Sequence, residues 1–267
     1  MLLGKQDMLE LKNISKTFNR GQATERQLFK DFNLSLPAKE FVVVIGGNGS
    51  GKTTLLNLIC GAIRPDAGQI ILNGEDLTSL PAHKHYERIG RVFQNPAAGV
   101  APSLSLIENL ALAENKNKAY NFSRAVTSKL RESLQERLKI FHLGLEDKLD
   151  APVGSFSGGE RQAVALLMAT ISPLDGGGQT LEYLILDEHT AALDPKAADT
   201  LMELTLKLIE LDQLGAIMVT HNLAYAEKYG DRLLMLNQGQ LVLDTRDPQE
   251  KIALLRDRAY LERNYAR

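Results

Sequence analysis

One junction constrains this chain more than any other: residues 41–45 (Phe-Val-Val-Val-Ile) run directly into Gly46-Gly47-Asn48-Gly49-Ser50-Gly51-Lys52-Thr53. The first five are apolar and mostly β-branched, which marks a strand buried on both faces. The next eight fit the pattern G-x-x-x-x-G-K-[S/T]. Residues 53–60 then show helical spacing, with no breaker until Gly61. Such a glycine-rich turn can fold successive N–H groups inward around an anion, because few side chains stand in the way. The helix that follows adds its positive N-terminal end. Lys52 then reads as a cation for the outer phosphates, and the Thr53 hydroxyl as a hard oxygen ligand for Mg²⁺.

The rest of the chain agrees with a strand–helix architecture. Residues 9–18 alternate roughly, a polar loop covers 19–26, and strand character resumes at 33–36. Residues 69–72, closed by Asn73-Gly74, and 89–93 are further short strands. Between 95 and 171 the character changes. Segments 104–113, 123–143 and 158–171 carry apolar residues at intervals of three and four, which predicts helices. Strand patterns return at 181–186, 216–220 and 232–236, and Asn237-Gln238-Gly239 makes a turn into 240–243. Helices are expected at 195–211, with Pro195 in the first turn, and at 222–229. The chain is long enough for one large domain over residues 1–267. Its wound α/β core would use residues 1–94 and 172–267, and residues 95–171 would form a helical insertion. The string Asp175-Gly176-Gly177-Gly178-Gln179 reads as a flexible surface link without chemistry, and residues 248–267 as a solvated helix packing on its own domain.

Composition narrows the function classes. Hydrophobic residues make up 44% and charged residues 24%, as in an ordinary water-soluble globule. A formal net charge of −2 gives no positive field to attract nucleic acid, so no nucleic-acid partner is expected. The lone cysteine, Cys60, lies in an apolar run and reads as a small buried side chain. Lys5, Asp7 and Glu10 argue against a secretory signal at the start. No uncharged apolar stretch reaches the ~18 residues of a membrane span. A cytoplasmic location is expected.

A second chemical signal is the string Leu184-Ile185-Leu186-Asp187-Glu188, an apolar strand ending in two acids. Adjacent strand residues face opposite sides, so the two carboxylates cannot do the same work. One can support Mg²⁺, usually through water, while the other orients or deprotonates a water that attacks the terminal phosphate.

Two further strings resemble those of ABC ATPases. Phe156-Ser157-Gly158-Gly159-Glu160-Arg161-Gln162 is similar to that family's signature motif, usually LSGGQ, and Thr190-Ala191-Ala192-Leu193-Asp194 to its D-loop. Gln94 falls at the Q-loop position, His221 at the switch-histidine position, and Phe18 at the aromatic that stacks on adenine. The resemblance spans residues 8–243 in the family's order and approximate spacing. It implies a P-loop NTPase (RecA-like) core with an antiparallel β subdomain and an inserted α-helical subdomain, binding ATP and Mg²⁺. The implied nucleotide-binding set is Phe18, Gly46, Gly47, Asn48, Gly49, Ser50, Gly51, Lys52, Thr53, Thr54, Ser157, Gly158, Gly159, Glu160 and Asp194. Thr53, Gln94 and Asp187 would serve the metal, and Glu188, His221 and Gln94 the hydrolysis. Ser157 to Gly159 should open a helix and so form a second anion site. That site cannot reach the chain's own phosphate loop, which implies a second copy, joined head to tail by ATP.

Four departures from the family pattern stand out. Phe156 and Glu160 replace the usual Leu and Gln, Lys39 stands where many relatives have Gly, and His189 occupies a position that is most often Pro. The strings Gly90-Arg91-Val92-Phe93-Gln94-Asn95-Pro96, Asp187-Glu188-His189-Thr190-Ala191-Ala192-Leu193-Asp194-Pro195-Lys196 and Met218-Val219-Thr220-His221-Asn222 resemble a narrower bacterial group. Its members drive uptake systems assigned to tryptophan, tyrosine or related small solutes, and residues 1–7 read as an extension beyond their usual start. The resemblance thus implies an importer subunit on the cytoplasmic face of the inner membrane, working with permease subunits and, indirectly, an extracytoplasmic solute-binding protein. A soluble ATPase of the cluster-assembly type and a split exporter or lipoprotein-release ATPase are the alternatives.

Overall fold

The computed structural model describes residues 8–115, 125–171, 181–257 and 259–261. Residues 1–7, the 175–179 glycine string and the end of the tail fall outside this set. A four-stranded sheet contains β1 (Met8–Phe18), β2 (Arg26–Pro37), β4 (Ala67–Leu72) and β5 (Glu75–Asp76), paired antiparallel in the order β2-β1-β4-β5. A six-stranded sheet contains β3 (Phe41–Ile45), β6 (Ile89–Val92), β7 (Tyr183–Asp187), β8 (Gly215–Val219), β9 (Arg232–Asn237) and β10 (Gln240–Thr245). Its order is β10-β9-β3-β8-β7-β6, parallel throughout except for the β9–β10 hairpin.

The helices are α1 (Lys52–Ile59), α2 (Ala82–Tyr86), α3 (Leu106–Glu114), α4 (Ser128–Lys139), α5 (Gly158–Thr170), α6 (Pro195–Leu211), α7 (Leu223–Tyr229) and α8 (Pro248–Arg256). Helices α3 to α5 come between β6 and β7 in the chain. No helix among the described residues is long and apolar enough to cross a membrane.

The large sheet separates two cores, and strand alternation decides which residue serves which. Val43 and Ile45 join Leu184, Leu186, Met218 and Met235 in a core shared with α3 to α6. Val42 and Val44 join Ile185, Ile217, Val219 and Leu234 in a second core, shared with α1 and the small sheet. All five residues of β3 are buried, and burial of each such Val or Ile contributes roughly 1.5–3 kcal/mol. Tyr183, 1% exposed, ties the two sheets: its hydroxyl donates to the Leu36 carbonyl at 2.6 Å and accepts from the Leu9 amide at 3.1 Å.

Most expected elements are present, with differences that have local causes. Strand β2 begins at Arg26 rather than near residue 33, because long-range pairing with β1 overrides its polar composition. Helix α4 starts at Ser128, where the Thr127 side chain accepts from the Leu130 amide and caps it. Strand β5 and helix α2 carry no readable period at two and five residues. Pro195 takes the first turn of α6 as expected. Lys39 adopts φ 62, so the turn into β3 keeps the left-handed backbone that glycine usually supplies. Cys60 is fully buried.

Candidate active site

The loop from Gly46 to Gly51 leaves β3 at its C-terminal end and delivers the chain into α1. It depends on backbone angles that side chains resist: Gly46 has φ 151 and Gly51, the N-cap of α1, φ 112. A Cβ at Gly46 would lie 2.3 Å from the Leu236 carbonyl oxygen and 2.8 Å from Ser50 Oγ. The Lys52 ammonium folds back over the loop and donates to the carbonyls of Gly46 at 2.7 Å and Gly47 at 2.9 Å. Burial lowers the pKa of Lys52, while the charges of Glu188 and Asp187 oppose that shift.

A cavity of about 400 Å³ opens on this loop. Asn48 to Thr54 form one wall, Phe18 another, and Glu188 and His221 close the side nearest the ends of β7 and β8. Phe18 is 36% exposed at the cavity mouth, with the Lys16 ammonium 5.7 Å from the ring centre. Glu188 Oε1 and His221 Nε2 are 3.0 Å apart. Glu188 itself has φ 49; its amide donates to Val219 and its carbonyl accepts from Ala191, both at 3.0 Å.

The two acids diverge, but not by strand alternation: Asp187 ends β7, and Glu188 has already left the strand with left-handed backbone. Asp187 is not among the residues lining this cavity, though its charge reaches Lys52; it pairs with Arg91, Oδ2 to Nη2, at 2.8 Å. Gln94 is exposed in the loop after β6 and does not line the cavity. His189 is buried, with Nε2 at 3.3 Å from the Thr205 hydroxyl. That hydroxyl donates to the Leu201 carbonyl, so His189 supplies the hydrogen of the shared bond. Burial pushes its pKa down to about 3 and keeps the ring neutral.

The signature string lies on a different surface. Ser157 caps α5: its hydroxyl accepts from the Glu160 amide at 3.2 Å, and the Glu160 carboxylate accepts from the Ser157 amide at 2.8 Å. This is the reciprocal capping box, and it explains why an acid is accepted there. Lys148 pairs with the same carboxylate, and with the Ser157 amide it holds Glu160 below the ordinary carboxylate range. Ser157, Gly159, Glu160 and Asp194 line a second cavity of about 290 Å³ between α5 and α6. None of its lining residues is shared with the phosphate-loop cavity. Asp194 also caps α6, accepting from the Ala197 amide at 3.0 Å.

The cavity fits a polyphosphate. Ser50 Oγ is buried without a hydrogen-bond partner, and Ser50 lines the cavity together with Lys52. The oxygen donors Thr53, Gln94 and Asp187 are hard ligands suited to Mg²⁺.

Sequence reasoning missed several supporting contacts, all between residues distant in the chain. Arg26 donates to the Gly49 carbonyl at 3.0 Å, and the Gly239 amide to the Ser50 carbonyl at 2.8 Å. Gln162, one turn into α5 and 1% exposed, donates to the Phe93 carbonyl at 2.8 Å, next to Gln94. The Asn237-Gln238-Gly239 turn was the only one of these with a local signal.

Comparison with known proteins agrees with this geometry. The family description "ABC transporter" matches residues 29–191. A tyrosine transport ATP-binding protein of Clostridioides difficile (strain R20291) is 40% identical over 244 residues, covering 91% of this chain and 94% of that protein. A solved ATP-binding cassette from an ABC transporter, nucleotide-free, superposes with a TM-score of 0.77 at 23% identity, over 96% of this chain and 98% of that one, and shares the fold. Another, a dimeric cassette in a post-hydrolysis state with ADP and Pi, has a TM-score of 0.71 at 28% identity and covers 89% of this chain and 97% of its own. A phosphate loop, an acid-tipped strand and a capped signature helix thus occur together on a shared fold: the chain belongs to the ABC transporter family and is one of its ATPases.

Proposed function

We propose that this chain drives solute import, as the ATP-hydrolysing subunit beneath two permease subunits on the cytoplasmic face of the bacterial inner membrane. Import is supported by the likeness to a tyrosine transport ATP-binding protein; the two-copy arrangement is supported by the separation of Ser157, Glu160 and Asp194 from the Lys52 cavity, since the family's two nucleotide-facing strings line different surfaces of one chain. A second copy, related by two-fold symmetry, brings its signature helix to the first copy's nucleotide. ATP then joins the dimer, and loss of the terminal phosphate loosens it.

Within each half-site the roles follow chemistry. Phe18 stacks on adenine; the loop amides, Ser50, Lys52 and Thr54 hold the phosphates. Thr53, which lines the cavity, would hold Mg²⁺ together with Gln94 and Asp187, which lie outside its present lining, and the ion would neutralise charge on the outer phosphates. Glu188 orients the attacking water and takes its proton, steered by His221. Asp194 works at the seam between copies. Residues 95–171 act as the helical arm of a single 1–267 domain, with 1–94 and 172–267 as its core.

A shallow groove of about 260 Å³ lies between this arm and β6, lined by Arg91 of β6 together with Gly99, Leu112, Ala113, Ala165, Met168 and Ala169. Leu112 is 53% exposed there, which suits a cytoplasmic helix of the permease. The relative from Clostridioides difficile is named for tyrosine; an aromatic amino acid or similar small solute, delivered by an extracytoplasmic binding protein, is the solute class we assign.

Affinity purification of the tagged chain from detergent-solubilised host membranes tests this. The expected result is co-purification of an integral membrane permease, with ATPase activity in proteoliposomes raised by binding protein loaded with tyrosine. Recovery only in water-soluble complexes, with no membrane protein, would overturn the importer reading.

A further inference from the structure

Arg91 is an unusual cation. It sits in β6, three residues before Gln94, with its side chain 5% exposed. Its Nη2 donates to Asp187 Oδ2 at 2.8 Å, and its Nη1 to Asn57 Oδ1 at 2.7 Å. Asn57 lies on α1, one turn beyond Thr53. The guanidinium packs 4.7 Å from the centre of the Phe93 ring, and Cys60 and Tyr86 flank it.

One buried side chain therefore touches all three elements that carry the oxygen donors Thr53, Gln94 and Asp187. Burial of a guanidinium is costly unless a carboxylate answers it. The pair with Asp187 also has a geometric result. Oδ2 is fixed by a planar fork anchored at its other branch on α1, so the rotation of the carboxylate is set and Oδ1 is left for another partner.

We propose that Arg91 is a positioning residue for the metal: it holds Asp187 in the orientation that serves Mg²⁺ and ties the Gln94 loop to α1. This rests on the reading of Asp187 as a metal-supporting acid. Partners that orient a metal-supporting carboxylate typically change metal affinity 10–100-fold when lost.

The test compares Arg91→Gln, Arg91→Lys and Asp187→Asn in the full chain. For each, nucleotide affinity is measured without metal, and the Mg²⁺ or Mn²⁺ concentration giving half-maximal tightening of bound nucleotide is then titrated, with Mn²⁺ followed by its paramagnetic resonance. Arg91→Gln is expected to raise that metal concentration about tenfold, with metal-free nucleotide affinity unchanged. Arg91→Lys keeps the charge but cannot bridge Asn57 and Asp187 together, so it is expected to fall in between. It also provides the measurement if Arg91→Gln does not fold. A shift in Asp187→Asn with none in the Arg91 variants would overturn the proposal and leave the reading of Asp187 standing. No shift in Asp187→Asn would overturn both. Tighter metal binding in Arg91→Gln would also overturn the proposal, because Arg91 would then compete with the metal.

Discussion

His221 Nε2 and Glu188 Oε1 meet at 3.0 Å across the ends of two neighbouring strands, β8 and β7. Strand order makes this contact: β8 lies between the phosphate-loop strand and the acid-tipped strand, so the residues after β7 and β8 converge over one cavity. This contact orients the Glu188 carboxylate without burying it. Glu188→Gln is therefore expected to bind MgATP with parental affinity and to hydrolyse it about 10²–10⁴-fold more slowly. Calorimetry and single-turnover phosphate release check this together. Turnover near the parental rate would remove Glu188 from the role of base.

Gly46→Ala is expected to destabilise the loop. The added methyl would stand 2.3 Å from the Leu236 carbonyl at a backbone angle that alanine resists. Strain of this kind costs roughly 1–3 kcal/mol, read as a lower urea midpoint with weakened nucleotide binding. An unshifted midpoint would contradict the geometry.

Two substitutions at Ser157 should separate its structural and functional sides. Ser157→Ala removes the cap of α5 and is expected to cost about 1 kcal/mol of stability. Ser157→Arg is expected to abolish hydrolysis while nucleotide binding by the single chain persists, because Ser157 does not line the Lys52 cavity. Hydrolysis by Ser157→Arg at low protein concentration would end the two-copy reading.

Burial pushes the Cys60 thiol up to about 12, against the opposing pull of Arg91. In the folded chain it should resist iodoacetamide at pH 8 and react fully in denaturant, as mass spectrometry would show. The sign of the linkage follows. The unfolded thiol loses its proton near pH 9 while the folded one keeps it, so this contribution to stability is complete below pH 9 and is lost as pH rises toward 12. Cys60→Ala should have a flatter decline in unfolding midpoint over that range. Equal slopes would mean that the thiol ionises freely in the folded state.

The parts of the site legible in sequence were those whose chemistry is local. Gly46 to Thr53, the acids after Leu186 and the helix opening at Ser157 each occupy a short run of chain, so the local sequence conveys them; the Ser157–Glu160 box emerges only in the structure, since Glu160 reads in sequence as a departure from the usual Gln. Pro195 likewise announced the start of α6, while the capping role of Asp194 is seen only in the structure. Contacts made across the fold left no such trace. Nothing around Arg91 foretells a partner at Asp187, and the left-handed backbone of Glu188 arises from its bonds to Val219 and Ala191. Strand β2 was under-read for the same reason, since pairing with β1 rather than its own composition extends it to Arg26.

Strand β3 has a bearing on biosynthesis. Val42 pairs with Ile217 on one side and Arg232 on the other, so the strand that launches the phosphate loop has neither neighbour until the last portion of the chain leaves the ribosome. At roughly 5–20 residues per second, a wholly apolar segment waits many seconds with both edges bare. Nascent chains stopped before residue 215 should therefore recruit chaperones and be cut readily by proteases near residues 41–45. Release of the full chain should end that vulnerability in one cooperative step.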